Sequence, residues 1–254
     1  MLLVAILAFT HGFRWARDLD RKRVLLLGLA AALITVNWGA FIYGVNSDHV
    51  VETSLGYFIN PLVTVALAVT IVGEHLRRAQ WAAVGIAFLA VAVLTVAYGR
   101  PPWIALILAF SFGFYGLVKK QVGLEGTQSL AVETAFLTAP ALALVIWFAA
   151  SGTGSFGHEG AGHALLMIGG GVATAIPLML FGAAAIRVPL TTIGLLQYLA
   201  PIMQFLIGVL IYDEHMAASR WVGFVLVWTA VVVFTADSVR AMNRTRARAR
   251  LGVA

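Results

Sequence analysis

The chain has 254 residues, 61% of them hydrophobic and 11% charged, with a mean hydropathy of +0.93. Since a soluble domain is roughly 45–50% apolar, this composition excludes an ordinary soluble protein and predicts a polytopic membrane protein. The absence of cysteine excludes a disulfide framework, a thiolate metal site and a cysteine nucleophile. The net charge of +6 sits in short loops and a basic tail, which indicates membrane topology and not binding to nucleic acid.

Continuous apolar runs predict the membrane-spanning helices. The first run, residues 1–13, is too short to cross a membrane and its basic cluster follows it, so we interpret it as the second half of a helix and not as a signal peptide. Complete spans are then predicted at residues 24–44, 51–73, 79–98, 102–119, 130–151, 163–186, 191–212 and 220–238. The predicted fold is all-α, with about nine helices present.

Two of these spans are copies of each other. Residues 51–75 and 191–215 align without a gap at an offset of 140 (201 − 61), which pairs Pro61 with Pro201. The same offset pairs Glu74 with Glu214, and the match extends over about residues 41 to 95. An internal repeat of hydrophobic helices is typical of transporter folds.

The repeat predicts the domain organisation. We expect a first five-helix repeat at residues 1–98, a second at 99–239 and a basic tail at 240–254. When the offset is subtracted from the spans that begin at residues 102 and 130, one helix falls wholly before Met1 and another ends near residue 11. The sequence therefore predicts a ten-helix fold whose first helix and a half are missing from this chain.

Basic residues predict the orientation. If the tail at 240–254 is cytoplasmic, all of the 17 lysines and arginines except Arg100 and Arg220 fall on the cytoplasmic side. This predicts a multi-pass protein of the bacterial inner membrane with a cytoplasmic C-terminus. Because each repeat has five helices, an odd number, the two repeats are expected to be inverted relative to each other.

Four long stretches carry a resemblance to a known family: NWGAFIYGVNSDHVVETSLGYFINPL, GEHLRRAQW, ALILAFSFGFYGLVKK and TAIPLMLFGAAAIRVPLTTIGLLQYLAPI. On these stretches the chain resembles the RarD branch of the drug/metabolite transporter superfamily, whose halves are EamA-type repeats. The resemblance implies a ten-helix inner-membrane permease, a secondary transporter of a small organic metabolite or drug. A non-transporting truncated membrane protein or scaffold is the alternative.

The two copied helices each carry a proline near the middle of the membrane. Pro61 lies roughly 13 Å into its helix at about 1.5 Å per residue, and Pro201 occupies the same place in the copy. Each proline frees a backbone carbonyl one turn earlier, near Tyr57 or Gln197. We predict a central substrate cavity lined or flanked by Asn37, Trp38, Tyr57, Asn60, Tyr115, Gln197 and Tyr198. The alternative is that the kinks serve packing and the polar side chains bond to adjacent helices.

Two carboxylates are the predicted proton-coupling groups, Glu52 first and Glu133 second, because an ionisable residue in a membrane span is a functional candidate. The alternative for Glu52 is a favourable interaction with a helix dipole in the headgroup region. The alternative for Glu133 is an ion pair with Lys119 or Lys120.

No enzyme, metal site or cofactor is predicted. His158, Glu159 and His163 form an HExxxH pattern that is one residue longer than the zinc-protease motif, and no phosphate-binding loop is present in the sequence. The expected partners are a small-molecule substrate, the lipid bilayer and a proton as coupling ion. A homodimer is left open, and no nucleic acid is expected.

Overall fold

The computed structural model describes residues 15–16, 19–152, 154, 160–203 and 218–250. Within these ranges the chain forms eight α-helices and no strand. They are α1 Arg21–Asn46, α2 Val50–Leu67, α3 Arg78–Tyr98, α4 Trp103–Val122, α5 Gly126–Ala150, α6 Gly160–Arg187, α7 Leu190–Leu196 and α8 Ala218–Arg250. Helix α2 continues as a π-helical turn, Ala68–Val72.

Seven segments within the described residues are long and apolar enough to cross a membrane. They lie in α1 to α6 and in the Trp221–Ala241 part of α8. The predicted all-α membrane fold is therefore confirmed. Of the eighth predicted span, residues 191–212, the structure describes the apolar helical stretch Leu190–Met203.

The helix boundaries differ from the predicted spans chiefly at α5. This helix begins at Gly126, four residues before the apolar run, because its first turn is polar and is still helical. Glycines at 73 and 99 end the α2 extension and α3 with φ of 77° and 78°, a left-handed conformation that a residue with a side chain rarely adopts.

The structure divides into two compact units. The first unit consists of Met1–Thr35 and Tyr115–Val188, and the second unit consists of Val36–Phe114 and Pro189–Ala254. Each unit thus takes segments from both predicted sequence repeats. The repeat boundaries at residues 98 and 239 stay a prediction.

Helices α3 and α8 form much of the core of the second unit. Ala83, Ala87 and Ala90 of α3 are fully buried together with Val227 and Ala230 of α8. Small side chains let two membrane helices approach closely, so this stripe explains the packing of the pair. Large apolar side chains elsewhere point outward, as expected for a surface that faces lipid.

Candidate functional site

The helix that contains Pro61 and the helix that precedes Pro201 lie against each other in the second unit. Gly194 of α7 faces Pro61 of α2 so closely that a Cβ atom at Gly194 would lie 3.1 Å from the Pro61 carbonyl oxygen. A Cβ there would also lie 3.2 Å from Cβ of Thr64. Glycine at this position therefore permits the close contact. We call this contact the α2–α7 seam, which contains Asn60, Thr64, Gly194 and Gln197.

The backbone carbonyl that Pro201 frees finds a substitute partner. The Gln197 carbonyl, which Pro201 deprives of its usual donor, accepts a hydrogen bond from the Ala200 N–H at 3.2 Å. The Tyr198 hydroxyl donates to the Phe58 carbonyl at 3.1 Å, which is a different carbonyl from the one at Tyr57 that Pro61 frees. Regular helix α7 ends at Leu196, and residues 197–198 form a turn before helix resumes at 199–203.

Polar side chains meet inside the seam but are incompletely paired. The Asn60 side-chain nitrogen donates to the Gln197 side-chain oxygen at 3.0 Å. Among the described residues, Asn60 Oδ1, Gln197 Nε2 and Thr64 Oγ1 are buried without a hydrogen-bond partner. Turning both amides over exchanges donor and acceptor but leaves one of each unpaired. The seam thus offers a donor, an acceptor and a hydroxyl.

The other predicted cavity residues occupy different surroundings. The Phe41 ring lies between the rings of Trp38 and Tyr57, with centroid distances of 6.4 and 6.3 Å. Asn37 donates to the Leu108 carbonyl and to the Ser111 hydroxyl of α4, both at 2.9 Å. The structure therefore brings together Asn60, Gln197 and Tyr198, whereas Asn37 bonds to a neighbouring helix. Tyr115 belongs to the first unit.

Glu52 of α2 binds the start of α4. Its side chain is buried, and its carboxylate accepts the Ile104 N–H at 2.7 Å and the Tyr98 hydroxyl at 2.6 Å. Arg100 lies 3.7 Å from the same carboxylate and donates to the Tyr98 hydroxyl, which raises the pKa of Arg100. A carboxylate at a helix N-terminus is favourable because the N–H groups and the dipole both attract it. The contacts are with the N-terminus of α4, whereas the alternative for Glu52 concerned the dipole of its own helix.

Glu74 makes an equivalent contact at the other end of α2, and sequence analysis assigned it no role. Its carboxylate accepts the N–H groups of Leu190 and Thr191 at 2.7 and 2.9 Å and the Thr191 hydroxyl at 2.7 Å. Glu74 therefore caps α7. The available signal was the pairing of Glu74 with Glu214 in the repeat, and Glu214 lies outside the described residues.

The first unit holds a buried ion pair. Lys119 of α4 binds Glu133 of α5 with an N–O distance of 2.6 Å, and each side chain is 1% exposed. Lys119 also donates to Ser129 at 2.6 Å, and Ser129 and Tyr115 donate to the two oxygens of Glu133 at 2.8 and 3.0 Å. We call Tyr115, Lys119, Ser129 and Glu133 the Lys119 cluster. It realises the ion-pair alternative for Glu133.

Of the HExxxH pattern, His158 and Glu159 lie outside the described residues, and His163 is in the first turns of α6. In the part of the chain that the structure describes, no group of three or more metal-ligating side chains occurs.

Comparison with known proteins identifies the relatives of this chain. Residues 1–96 match the EamA-like transporter family. Protein RarD of Streptomyces exfoliatus is 56% identical over 247 residues, which cover 96% of this chain and 78% of that protein. Protein RarD of Salmonella typhi is 41% identical over 244 residues, covering 95% and 83% of the two chains. An uncharacterized transporter of Pseudomonas aeruginosa is 38% identical over 232 residues, covering 91% and 78%.

The fold has a solved counterpart. A protein of known crystal structure superposes with a TM-score of 0.65 over 90% of this chain and 80% of its own, at 18% sequence identity. Together with the seven apolar helices, the relatives identify a multi-pass inner-membrane protein of a transporter family. The chain belongs to the RarD branch of the EamA-like transporter family.

Proposed function

We propose that this protein is a secondary transporter that moves a small organic metabolite or drug by alternating access of two inverted repeats. The observation that carries the proposal is the hydrogen bond from Tyr198 to Phe58, because these residues are 140 positions apart, the offset of the sequence repeat. In a two-fold arrangement, only residues beside the axis contact their own counterparts. The contact supports a pseudo-two-fold axis that passes between α2 and α7.

The substrate site of the proposal is the α2–α7 seam. In inverted-repeat transporters the substrate lies near the midplane, where discontinuous helices of the two repeats meet. Three observations support this position: Pro61 in α2, Pro201 in the helical stretch after α7, and the unpaired polar atoms of Asn60, Thr64 and Gln197. An unpaired buried polar group costs about 1–3 kcal/mol, so a ligand that pairs with these atoms is favoured. Tyr57 and Tyr198 complete the proposed lining, with Asn37 and Trp38 flanking it. Tyr115, which was predicted to flank the cavity, lies in the first unit.

We propose that a proton is the coupling ion. We also propose that the C-terminus is cytoplasmic, as the distribution of basic residues predicts. Glu52 and Glu133 are the candidate coupling groups. The contacts of Glu52 with Ile104 and Tyr98 favour a positioning role for this carboxylate. Glu133 makes the ion pair with Lys119 that is the alternative to a coupling role, and it stays a candidate because it is a buried ionisable residue in a membrane span.

The test is transport by the purified chain reconstituted in proteoliposomes. A panel of metabolites and antibiotics is offered under a proton gradient of either sign, and uptake is compared with protein-free liposomes. We expect at least one compound to accumulate and the accumulation to collapse with a protonophore. If no compound moves under either gradient, the alternative of a non-transporting membrane protein is favoured.

Substrate accumulation driven by a proton gradient also distinguishes the two candidate coupling groups, Glu52 and Glu133. Glu133→Gln is expected to abolish accumulation, whereas Glu52→Gln is expected to lower stability modestly and to leave coupling intact. Accumulation that is lost in Glu52→Gln and kept in Glu133→Gln would reverse this assignment.

A further inference from the structure

The Lys119 cluster joins α4 and α5 of the first unit around one positive and one negative charge, and α6 packs beside it. All four side chains are at most 2% exposed. The Lys119 ammonium also lies 5.3 Å from the centre of the Tyr115 ring, whose other neighbour is the stacked Phe181 ring of α6. Gly182 of α6 makes room for the lysine stem, since a Cβ there would lie 2.9 Å from Lys119 Cε. Helix α6 thus leaves space for a lysine.

Stability does not explain why a membrane protein keeps this ion pair. Burying two charges costs so much solvation that apolar replacements of a whole pair are often equally stable or more stable. Removing one partner is different, because the other charge is then buried alone. The cluster is therefore tolerant of changes that keep it neutral and intolerant of changes that leave one charge.

Lys120 and Arg187, the other basic residues of α4 and α6, have partners outside the Lys119 cluster. Lys120, next to Lys119, donates to the Val188 carbonyl at 3.1 Å. Arg187 at the end of α6 pairs with Glu125, which precedes α5, at 2.7 Å. Apart from His163 near the start of α6, the described parts of α4, α5 and α6 carry no further charged or titratable group except Tyr115. Glu133 is thus the anion that balances Lys119.

From this balance we propose that Lys119 binds the carboxylate of an organic substrate in exchange for Glu133, which takes up one proton from water as it releases the ammonium. The proposal rests on the proposed transport function and names a carboxylate as the substrate class. It places a carboxylate-binding site in the first unit, in addition to the proposed seam site in the second unit. Without substrate, Lys119 pairs with ionised Glu133. With substrate bound, Lys119 pairs with the substrate carboxylate, and Glu133 beside it is protonated. Ser129 and Tyr115 can donate to either carboxylate or turn their hydroxyls toward the protonated acid.

The cluster stays electrically neutral only if protonation of Glu133 and binding of the substrate carboxylate occur together. A proton on Glu133 without a bound carboxylate would leave Lys119 alone in the membrane interior, and a carboxylate without the proton would set two anions against one cation. Both half-loaded states are unfavourable. The exchange therefore couples one proton to one carboxylate, and the apparent dissociation constant should rise about tenfold per pH unit where Glu133 is ionised.

The experiment measures binding of matched probes to the purified full chain. Benzoate and hexanoate are compared with benzamide and hexanamide at acidic and neutral pH, and proton uptake is recorded with a pH indicator in weakly buffered solution. We expect the carboxylates alone to bind, with about one proton taken up per carboxylate. Glu133→Gln should bind carboxylates without proton uptake and without the pH dependence. Lys119→Gln should weaken binding by about tenfold or more, and Lys120→Gln should leave it unchanged.

A double variant, Lys119→Met with Glu133→Met, provides the folding control. It keeps the cluster neutral, so it should fold as well as the wild type and fail to bind carboxylates. Carboxylate binding by this variant, absence of carboxylate binding by the wild type, or binding without proton uptake would each overturn the exchange. Transport of uncharged compounds by wild type and Lys119→Gln alike would also overturn it, while the proposed transport function would stand. Absence of any transport would count against that function instead.

Discussion

The polar atoms of the α2–α7 seam are poorly satisfied for a membrane interior. Thr64 is 1% exposed and its hydroxyl lacks a partner. Thr53, about three turns earlier on the same helix and 2% exposed, donates to two backbone carbonyls at 2.9 Å. A buried hydroxyl without a partner costs free energy that an isosteric methyl group does not. A ligand or a second conformation would supply the partner that this hydroxyl lacks.

This comparison gives a prediction for the two threonines. Thr64→Val should raise the free energy of unfolding by about 1–3 kcal/mol because it removes an unsatisfied hydroxyl. Thr53→Val should lower it by about 0.5–1.5 kcal/mol because it removes a satisfied one. Thermal unfolding in detergent measures both, and uptake in proteoliposomes should fall only in Thr64→Val. If the free energy of unfolding changes with the same sign in both variants, the proposed role of the seam as a substrate site is contradicted.

Tyr198 gives a second prediction at the residue scale. Tyr198→Phe keeps the ring and removes the hydroxyl that binds the Phe58 carbonyl, so we expect a loss of about 1 kcal/mol in the free energy of unfolding. Tyr43→Phe is the matched control, since Tyr43 is 61% exposed. The control should change stability by less than about 0.5 kcal/mol. Equal effects of the two substitutions would argue against the contact.

At the scale of elements, α2 is held at both ends by carboxylates that cap other helices. Glu52 in its first turn binds α4, and Glu74 after its last turn binds α7. Neither cap could be predicted from local sequence, because the N–H groups they bind belong to helices 52 and 116 positions away. The repeat did place a glutamate after both copied helices, but only the fold reveals what it binds.

The Glu74 cap is open to a direct test. Glu74→Gln keeps one acceptor oxygen but loses the charge, so α7 should fray and the free energy of unfolding should fall by about 0.5–2 kcal/mol. Amide hydrogen exchange at Leu190 and Thr191 should accelerate. Glu125→Gln, which breaks an exposed pair with Arg187, is the control and should cost at most about 1 kcal/mol. If amide hydrogen exchange at Leu190 and Thr191 is unchanged in Glu74→Gln, the capping role of Glu74 is contradicted.

Sequence reasoning succeeded where a property depends on long apolar runs. The spans of α1 to α6 were predicted within a few residues, and the start of α5 was missed because its first turn is polar. It succeeded less well for side-chain partners. Asn37 could bond to a helix or line a cavity, and only tertiary packing decides that it meets Leu108 and Ser111.

At the scale of the whole molecule, the orientation in the membrane is testable because the chain has no cysteine. Single cysteines at Ser151, in the loop after α5, and at Asn243, beyond the Trp221–Ala241 span, should be labelled from opposite sides by an impermeant thiol reagent. We expect Asn243 to be reached from the cytoplasmic side. Labelling of both positions from the same side would contradict the helix count between them.

The proposed transport cycle requires α2 and the segment 190–203 to rock about the contact between Phe58 and Tyr198. Because the two helices run in opposite directions, Val72 lies toward Thr192 at one end of the pair, and Val51 lies toward Met203 at the other. Spin labels at these two pairs report the two ends separately.

The most direct measurement is the distance within each pair, recorded by electron paramagnetic resonance in proteoliposomes with and without a transported compound. Alternating access predicts that the two distances change in opposite directions, so that one end opens while the other closes. Distances that change in the same direction, or that do not change while the compound is transported, would contradict alternating access.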